Sequence, residues 1–179
     1  GIVCPSLVFQ EAGGNVALGS DQAPGNNCHN IIHEMKNVCM FNKLKYQNPE
    51  IMPAWKGLRM ATIGGAKAIG VDDIVGSLEP GKQADFIAID LNHPSMQPVY
   101  MYPMRNLVPN LVYSARGHEV DYSVVNGRVI MKHQKMVNVD EEEILSKVKK
   151  YPEDIGKRAA TEFFEIHGTN AVFMEEGKL

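Results

Sequence analysis

The stretch that most constrains the fold runs from Asn15 to Asn27 and reads NVALGSDQAPGNN. Small and apolar residues lead into Gly19, Ser20 and Asp21, and a loop rich in glycine, proline and asparagine follows. This pattern predicts a buried parallel strand that ends on a polar side chain. In an α/β barrel the C-terminal strand ends carry the chemistry, so Asp21 is a candidate metal ligand or proton acceptor. The alternative is that its carboxylate only caps the turn that follows.

Helical patterns flank this stretch on both sides. Residues 5–14 place a proline near the first turn and two glycines beyond the end, which predicts a short helix. Residues 30–46 predict a longer helix, with only a fair apolar face made of Ile31, Met35, Val38 and Asn42. Helix, strand, loop and helix together make one unit of an α/β repeat.

Several short motifs occur in the order in which a known family carries them. They are EAG at 11–13, VALGSD at 16–21, NN at 26–27, EMK at 34–36, MAT at 60–62, GAKAIG at 65–70, GSLEPGKQADF at 76–86 and VNGR at 125–128. On these motifs the sequence resembles the metal-dependent amidohydrolase superfamily, in particular the branch of S-adenosylhomocysteine/methylthioadenosine deaminases and triazine chlorohydrolases. The resemblance covers residues 5–131.

Length limits what the resemblance implies about the fold. A complete eight-stranded barrel takes about 250 residues, whereas this chain has 179 and contains no His-x-His pair, which the family carries on its first strand. We therefore expect an α/β protein that is the C-terminal part of a (β/α)8 amidohydrolase barrel, with part of the flanking small β-sandwich domain and C-terminal helices. The expected division is the last barrel strand and its helices at 1–75, the small-domain segment at 76–139, and helices with a tail at 140–179.

The resemblance also implies a chemistry. Family members use one divalent metal, zinc or iron, to activate water, and Asp21 would ligate that metal and take the proton of the water. Asn26 and Asn27 would contact a heterocyclic substrate, unless they are only turn formers. Deamination of an adenosine-type amine is the favoured reaction, with chlorohydrolysis of a halogenated heterocycle as the alternative. The missing N-terminal part would supply the other ligands, so the chain alone is expected to be inactive; a scaffold or binding domain without chemistry is a further alternative.

Composition indicates an ordinary globular protein. Charged residues make up 22% and the net charge is −3, which argues against a nucleic-acid partner, and no long apolar run or secretion signal occurs. We expect a cytoplasmic protein that forms a homo-oligomer. Cys4, Cys28 and Cys39 are too few and too irregular for a disulfide framework. A zinc site at Cys28, His29 and His33 would need a second cluster, which the sequence lacks.

The rest of the chain predicts packing elements. Residues 53–60 and 62–70 predict short helices, and Lys67 follows a glycine pair without the spacing of a nucleotide loop. Residues 86–90 predict a buried strand, 106–115 a helix, and 121–131 a hairpin turning at Asn126-Gly127, with Val137 on an added edge strand. Helices are expected from 140 and over 153–167, and the tail from Gly168 to Leu179 is expected to be loose unless it docks on a neighbour.

Overall fold

The computed structural model describes residues 3–166 and 168–178; Gly1, Ile2, His167 and Leu179 lie outside the described residues. Internal contacts divide the chain into two units, one up to Val137 and one from Asn138 onward. The predicted boundary between residues 75 and 76 stays a prediction.

The first unit holds most of the helices. They are α1 (Ser6–Glu11), α2 (Ala23–Asn26), α3 (Ile31–Tyr46), α4 (Ala54–Ala61), α5 (Ile63–Ala68) and α6 (Leu107–Tyr113), with a single 3-10 turn at Pro94–Met96. The longest, α3, begins where the side chain of Asn30 accepts hydrogen bonds from the backbone N–H groups of Ile32 and His33. It ends at Gln47, which adopts a left-handed conformation.

The buried face of α3 agrees with the predicted face at Met35 and Asn42, and differs from it by one residue at the other two positions. Ile32, Met35, Cys39 and Asn42 are buried, whereas Ile31 is exposed. The side-chain amide of Asn42 donates to the carbonyl oxygen of Val38, and its oxygen accepts a bond from Ser6. A polar residue therefore occupies the core face, because both halves of its amide are paired.

Four antiparallel strands form one sheet in chain order. They are β1 (Phe86–Ile89), β2 (Val120–Val125), β3 (Arg128–Lys132) and β4 (Lys135–Met136). The register pairs Ile87 with Ser123 and Val125 with Arg128. The predicted strand and hairpin are thus present, and β4 ends just before Val137, whose N–H bonds the carbonyl oxygen of Ile130. However, Phe86 and Ile87 are partly exposed, so β1 is less buried than predicted.

The hairpin turn has the backbone that its sequence requires. Asn126 and Gly127 both have positive φ, +48° and +71°, which matches the primed turn favoured between twisted strands. The turn also contacts the segment before β1, because the N–H of Gly127 donates to the carbonyl oxygen of Ala84 at 3.0 Å. The N–H of Asn126 donates to the carboxylate of Asp85. The turn therefore closes β2 and β3 and fixes the entry of β1.

One core holds the first unit together. Helices α3, α4 and α6 contribute most of it. Its buried members are Leu7, Ile32, Met35, Cys39, Met52, Ala54, Met60, Met96, Val108, Val112 and Ala115. The methionines suit a core between short helices that cross irregularly, because their flexible side chains fill uneven gaps.

The predicted strand at residues 15–20 is not formed. This segment is irregular in the structure, and its side chains are at most half-buried. A parallel strand needs a neighbouring strand for its backbone hydrogen bonds, and every strand in the described residues lies in the antiparallel sheet between 86 and 136. Residues 15–20 therefore have the sequence pattern of a barrel strand, but no strand in the described residues pairs with them.

The second unit consists of α7 (Glu141–Val148), α8 (Pro152–Glu165) and α9 (Thr169–Glu175). The side chain of Asp140 caps α7 by accepting from the N–H of Glu143 at 2.9 Å. Lys147–Glu143 and Lys157–Glu153 ion pairs lie along the helix surfaces. The described part of the predicted tail is helical rather than loose: α9 forms and buries Ala171, which is the exception that the prediction allowed.

Candidate active site

Asp21 lies at a sharp backbone corner rather than at a strand end. Its φ is +57°, a conformation that aspartate tolerates better than most residues. Its side chain is exposed, and Oδ1 accepts a hydrogen bond from the N–H of Gln22 at 2.7 Å. The carboxylate thus makes the local turn contact that was the alternative prediction. The other oxygen, Oδ2, makes no hydrogen bond within the described residues.

Gly25 is a site residue that the sequence reasoning did not single out. A Cβ built on Gly25 would come within 2.8 Å of Oδ2 of Asp21. The Asp21 carboxylate therefore lies so close to Gly25 that a side chain at this position would clash with it. In the sequence, Gly25 is only a glycine four residues after Asp21. Its closeness to the carboxylate arises only when α2 folds the loop back.

Asn26 holds the loop closed. Its Nδ2 donates to the carbonyl oxygen of Ser20 at 2.7 Å and to Oε1 of Glu34 on α3 at 2.9 Å. A second bond across the loop joins the hydroxyl of Ser20 to Nδ1 of His29 at 3.0 Å. These bonds fix the segment on both sides of Asp21 to the start of α3.

Asn27 serves the backbone of the loop. It ends α2 in a left-handed conformation, with φ +59°, as expected for an asparagine turn former. Its side chain is exposed and has no hydrogen-bond partner within the described residues. Asp21, Asn26 and Asn27 thus lie on one short loop.

Metal-ligand types do not converge around this loop. Within residues 3–166 and 168–178, no group of three His, Cys, Asp or Glu side chains is placed to hold a metal. His29 bonds Ser20, so the Cys28, His29 and His33 zinc site is not formed there. A catalytic zinc takes three protein ligands, and the loop at residues 21–27 offers one candidate ligand, Asp21.

A buried carboxylate lies away from this loop. Glu119 is 1% exposed, and it accepts bonds from the N–H groups of Arg116 at 3.0 Å and Gly117 at 2.9 Å. The hydroxyl of Ser95 also donates to it, and Nδ1 of His93 lies 3.5 Å away. Sequence reasoning missed Glu119 because nothing local marks a buried acid.

The hydrogen bonds decide the charge of Glu119. Burial raises the pKa of this carboxyl, but the bonds from Ser95 and from the backbone of residues 116, 117 and 119 outweigh it and lower the pKa to about 2. The carboxylate is therefore ionised at neutral pH. Because its oxygens are occupied by the loop at 116–117 and by Ser95, it joins two segments and has no room for a substrate.

No helix in the part of the chain that the structure describes has the length and apolar character needed to cross a bilayer.

Comparisons with known proteins give consistent results. The Amidohydrolase family matches residues 8–130. A 5-methylthioadenosine/S-adenosylhomocysteine deaminase of Teredinibacter turnerae is 39% identical over 155 residues, which is 87% of this chain and 34% of that protein. An adenosine deaminase of Xanthomonas campestris with bound zinc superposes with a TM-score of 0.79 at 28% identity, covering 86% of this chain and 34% of the other.

A more distant neighbour shares the fold. Atrazine chlorohydrolase of Arthrobacter aurescens, complexed with zinc, has a TM-score of 0.72 at 24% identity, covering 82% of this chain and 31% of that one. The chain thus spans about a third of the length of the proteins it matches. Since the family match extends over most of the first unit, the chain belongs to the Amidohydrolase family.

Proposed function

We propose that this chain is part of a metal-dependent aminohydrolase that deaminates an adenosine-type heterocyclic amine. The observation that carries the proposal is the identity to deaminases over more than four-fifths of the chain. In that setting residues 15–20 would pair as the last strand of the barrel, once neighbouring strands were available. The small β-sandwich would likewise be completed by strands outside this chain.

We assign to Asp21 the roles of metal ligand and proton acceptor in the complete enzyme. A bound zinc would lower the pKa of a water molecule so that hydroxide forms near neutral pH. Asp21 suits a shared site because its Oδ2 makes no hydrogen bond within the described residues, while the Oδ1 bond to Gln22 holds its direction. Its part in the reaction is to take the water proton and to return it to the departing amine.

Asn26 and Asn27 are the proposed substrate contacts on this chain. The Nδ2 of Asn26 is used within the loop, so its Oδ1 remains to accept a bond from a substrate amine or hydroxyl. Asn27 offers its whole exposed amide. Both lie within six residues of Asp21, close enough in the loop to face the same ligand.

The proposed partner is the remaining part of a family protein, which would supply the other metal ligands. An apolar groove of about 570 Å³ supports this. It lies between α4, α5 and β1, and its lining includes Leu58, Ile69, Leu78, Phe86 and Ile87. Ile69 and Leu78 are more than two-thirds exposed, which is typical of a surface that another segment covers.

A chimera tests the proposal. We would join the part of the Teredinibacter turnerae deaminase that the match does not cover to this chain, and measure zinc content and ammonia release from methylthioadenosine. The chain alone is expected to show neither, and the chimera both. Asp21→Asn in the chimera is expected to lower kcat by about a thousandfold or more. A folded, zinc-loaded D21N chimera with unchanged kcat would contradict the role of Asp21.

The chlorohydrolase alternative rests on the fold likeness alone, because the identity to that enzyme is low. The same chimera separates the reactions: chloride release from atrazine without ammonia release from methylthioadenosine would favour it. Cytoplasmic location and a homo-oligomer remain predictions.

A further inference from the structure

A second pocket, of about 320 Å³, lies where the segment before Asp21 meets α4 and α5. Its cationic lining residues are Lys56 and Arg59 on α4 and Lys67 on α5. We propose that this pocket binds a phosphate group, either free phosphate or the phosphate of a small organic monoester.

Charge is the first argument for an anion. The side chains of Lys56, Arg59 and Lys67 form no ion pair or hydrogen bond within the described residues, and the pocket lining contains no carboxylate. The whole chain carries a net charge of −3, so three unpaired cations around one cavity run against the overall charge. Since like charges at close range destabilise one another, an anion among them is favourable.

The arrangement of α4 and α5 places the three cationic side chains around one pocket. Lys56 and Arg59 are three residues apart and share a face of α4. Gly64, also in the lining, lets α5 approach that face, because a Cβ there would come within 2.6 Å of the carbonyl oxygen of Arg59. Lys67 follows one turn after Gly64 and so points to the same pocket. Side chains, rather than the glycine-rich backbone of a nucleotide loop, provide the cations.

The side chain of Gln10 indicates that the anion also carries a hydrogen-bond donor. It also lines the pocket, and its Oε1 is a buried acceptor without a hydrogen-bond partner in the described residues. A buried unpaired acceptor is costly. A phosphate that retains one proton offers both acceptor oxygens for the cations and one O–H donor for Gln10. Sulfate has the same shape but no such donor.

Calorimetric titration of the protein with inorganic phosphate, and separately with sulfate, tests this inference. At mildly basic pH, inorganic phosphate is a dianion that retains one proton and so matches sulfate in charge, and we expect it to bind about tenfold more tightly than sulfate. Lys56→Gln and Lys67→Gln are each expected to weaken phosphate binding about fivefold or more. Gln10→Met is expected to remove the preference over sulfate while retaining binding.

Lys36→Gln is the matched control, because Lys36 is exposed on α3 and lies outside this pocket. It removes the same charge and should leave phosphate affinity unchanged. Equal weakening by Lys36→Gln, or affinity for phosphate equal to that for chloride in the wild type, would overturn the proposal. Comparing free phosphate with a sugar phosphate then distinguishes the two sources of the group. Because the titration needs no metal and no turnover, its result is independent of the proposed deaminase activity.

Discussion

Among single residues, Glu119 is a buried carboxylate that accepts hydrogen bonds from two separate segments. One carboxylate receives two backbone N–H groups and a serine hydroxyl while almost fully buried. A buried charge is tolerated only when its oxygens are fully hydrogen-bonded. The loop at 116–117 and the turn at Pro94–Met96 therefore depend on this one side chain for their mutual position.

We expect Glu119→Gln to destabilise the first unit by about 2–4 kcal/mol. The new amide N–H₂ group would face donors that the carboxylate oxygens now accept, so at least one buried donor loses its partner. Urea unfolding followed by the fluorescence of Trp55, the one tryptophan of the chain, measures this change. Glu50→Gln, at an exposed carboxylate, is the control and should change the unfolding free energy little.

The pH dependence of the same residue gives a separate prediction. The pKa of Glu119 is lowered from 4.5 to about 2, so its contribution to stability is present above about pH 4.5 and is lost as the pH falls toward 2. The wild type is expected to lose roughly 3 kcal/mol over this window from Glu119, and E119Q to lack that part of the slope. An identical acid limb in both proteins would show that the carboxylate is not held ionised.

Residue-scale prediction from sequence succeeded where a residue acts through its neighbours in the chain. The turn role of Asn27, one of the two alternatives predicted for it, depends on backbone a few positions away, so the sequence contains it. Glu119 and Gly25 act through contacts that arise only after folding. No local pattern could identify either one.

At the scale of elements, local sequence predicted the hairpin and most of the helices, missed the short α2 and α9, and failed for the strand at 15–20. Helices satisfy their backbone within one segment, and the Asn126-Gly127 turn pairs two adjacent segments. A parallel strand takes its partners from distant segments. The apolar pattern at 15–20 therefore predicts burial, but the neighbours decide whether a strand forms.

Two glycine substitutions with opposite expected signs test this view of the elements. Gly127→Ala should destabilise the hairpin by about 1 kcal/mol, because φ is +71° and the space around the residue is open, so the cost comes from the backbone alone. Gly156→Ala lies inside α8, has equally open surroundings and should raise helix stability by about 0.5–1 kcal/mol. Trp55 fluorescence reports the first unit and far-ultraviolet circular dichroism the helices. Equal signs for the two variants would contradict the assigned turn.

At the scale of the whole molecule, an apolar groove lies beside an open edge of the sheet. Strand β1 pairs only with β2 in the described structure, which leaves its other edge open, and the 570 Å³ groove lies beside it. Exposed edges and apolar grooves are hazards that proteins normally cover. A chain that spans about a third of its relatives thus presents the surface on which the proposed partner segment would dock.

We expect Ile87→Lys to prevent that docking without unfolding the chain. Ile87 is half-exposed and lines the groove, so a lysine there is tolerated in water but would be buried as an unpaired charge once the groove is covered. Val129→Lys is the control, since Val129 lies in the same sheet, is similarly exposed and does not line the groove. We would immobilise each variant and measure its binding to the part of the Teredinibacter turnerae deaminase that the match to this chain does not include. Binding should fall at least about tenfold for I87K and remain at the wild-type level for V129K. If both lysines weaken binding equally, or neither does, the groove beside β1 is not the docking surface, and the open edge of the sheet must be covered in another way.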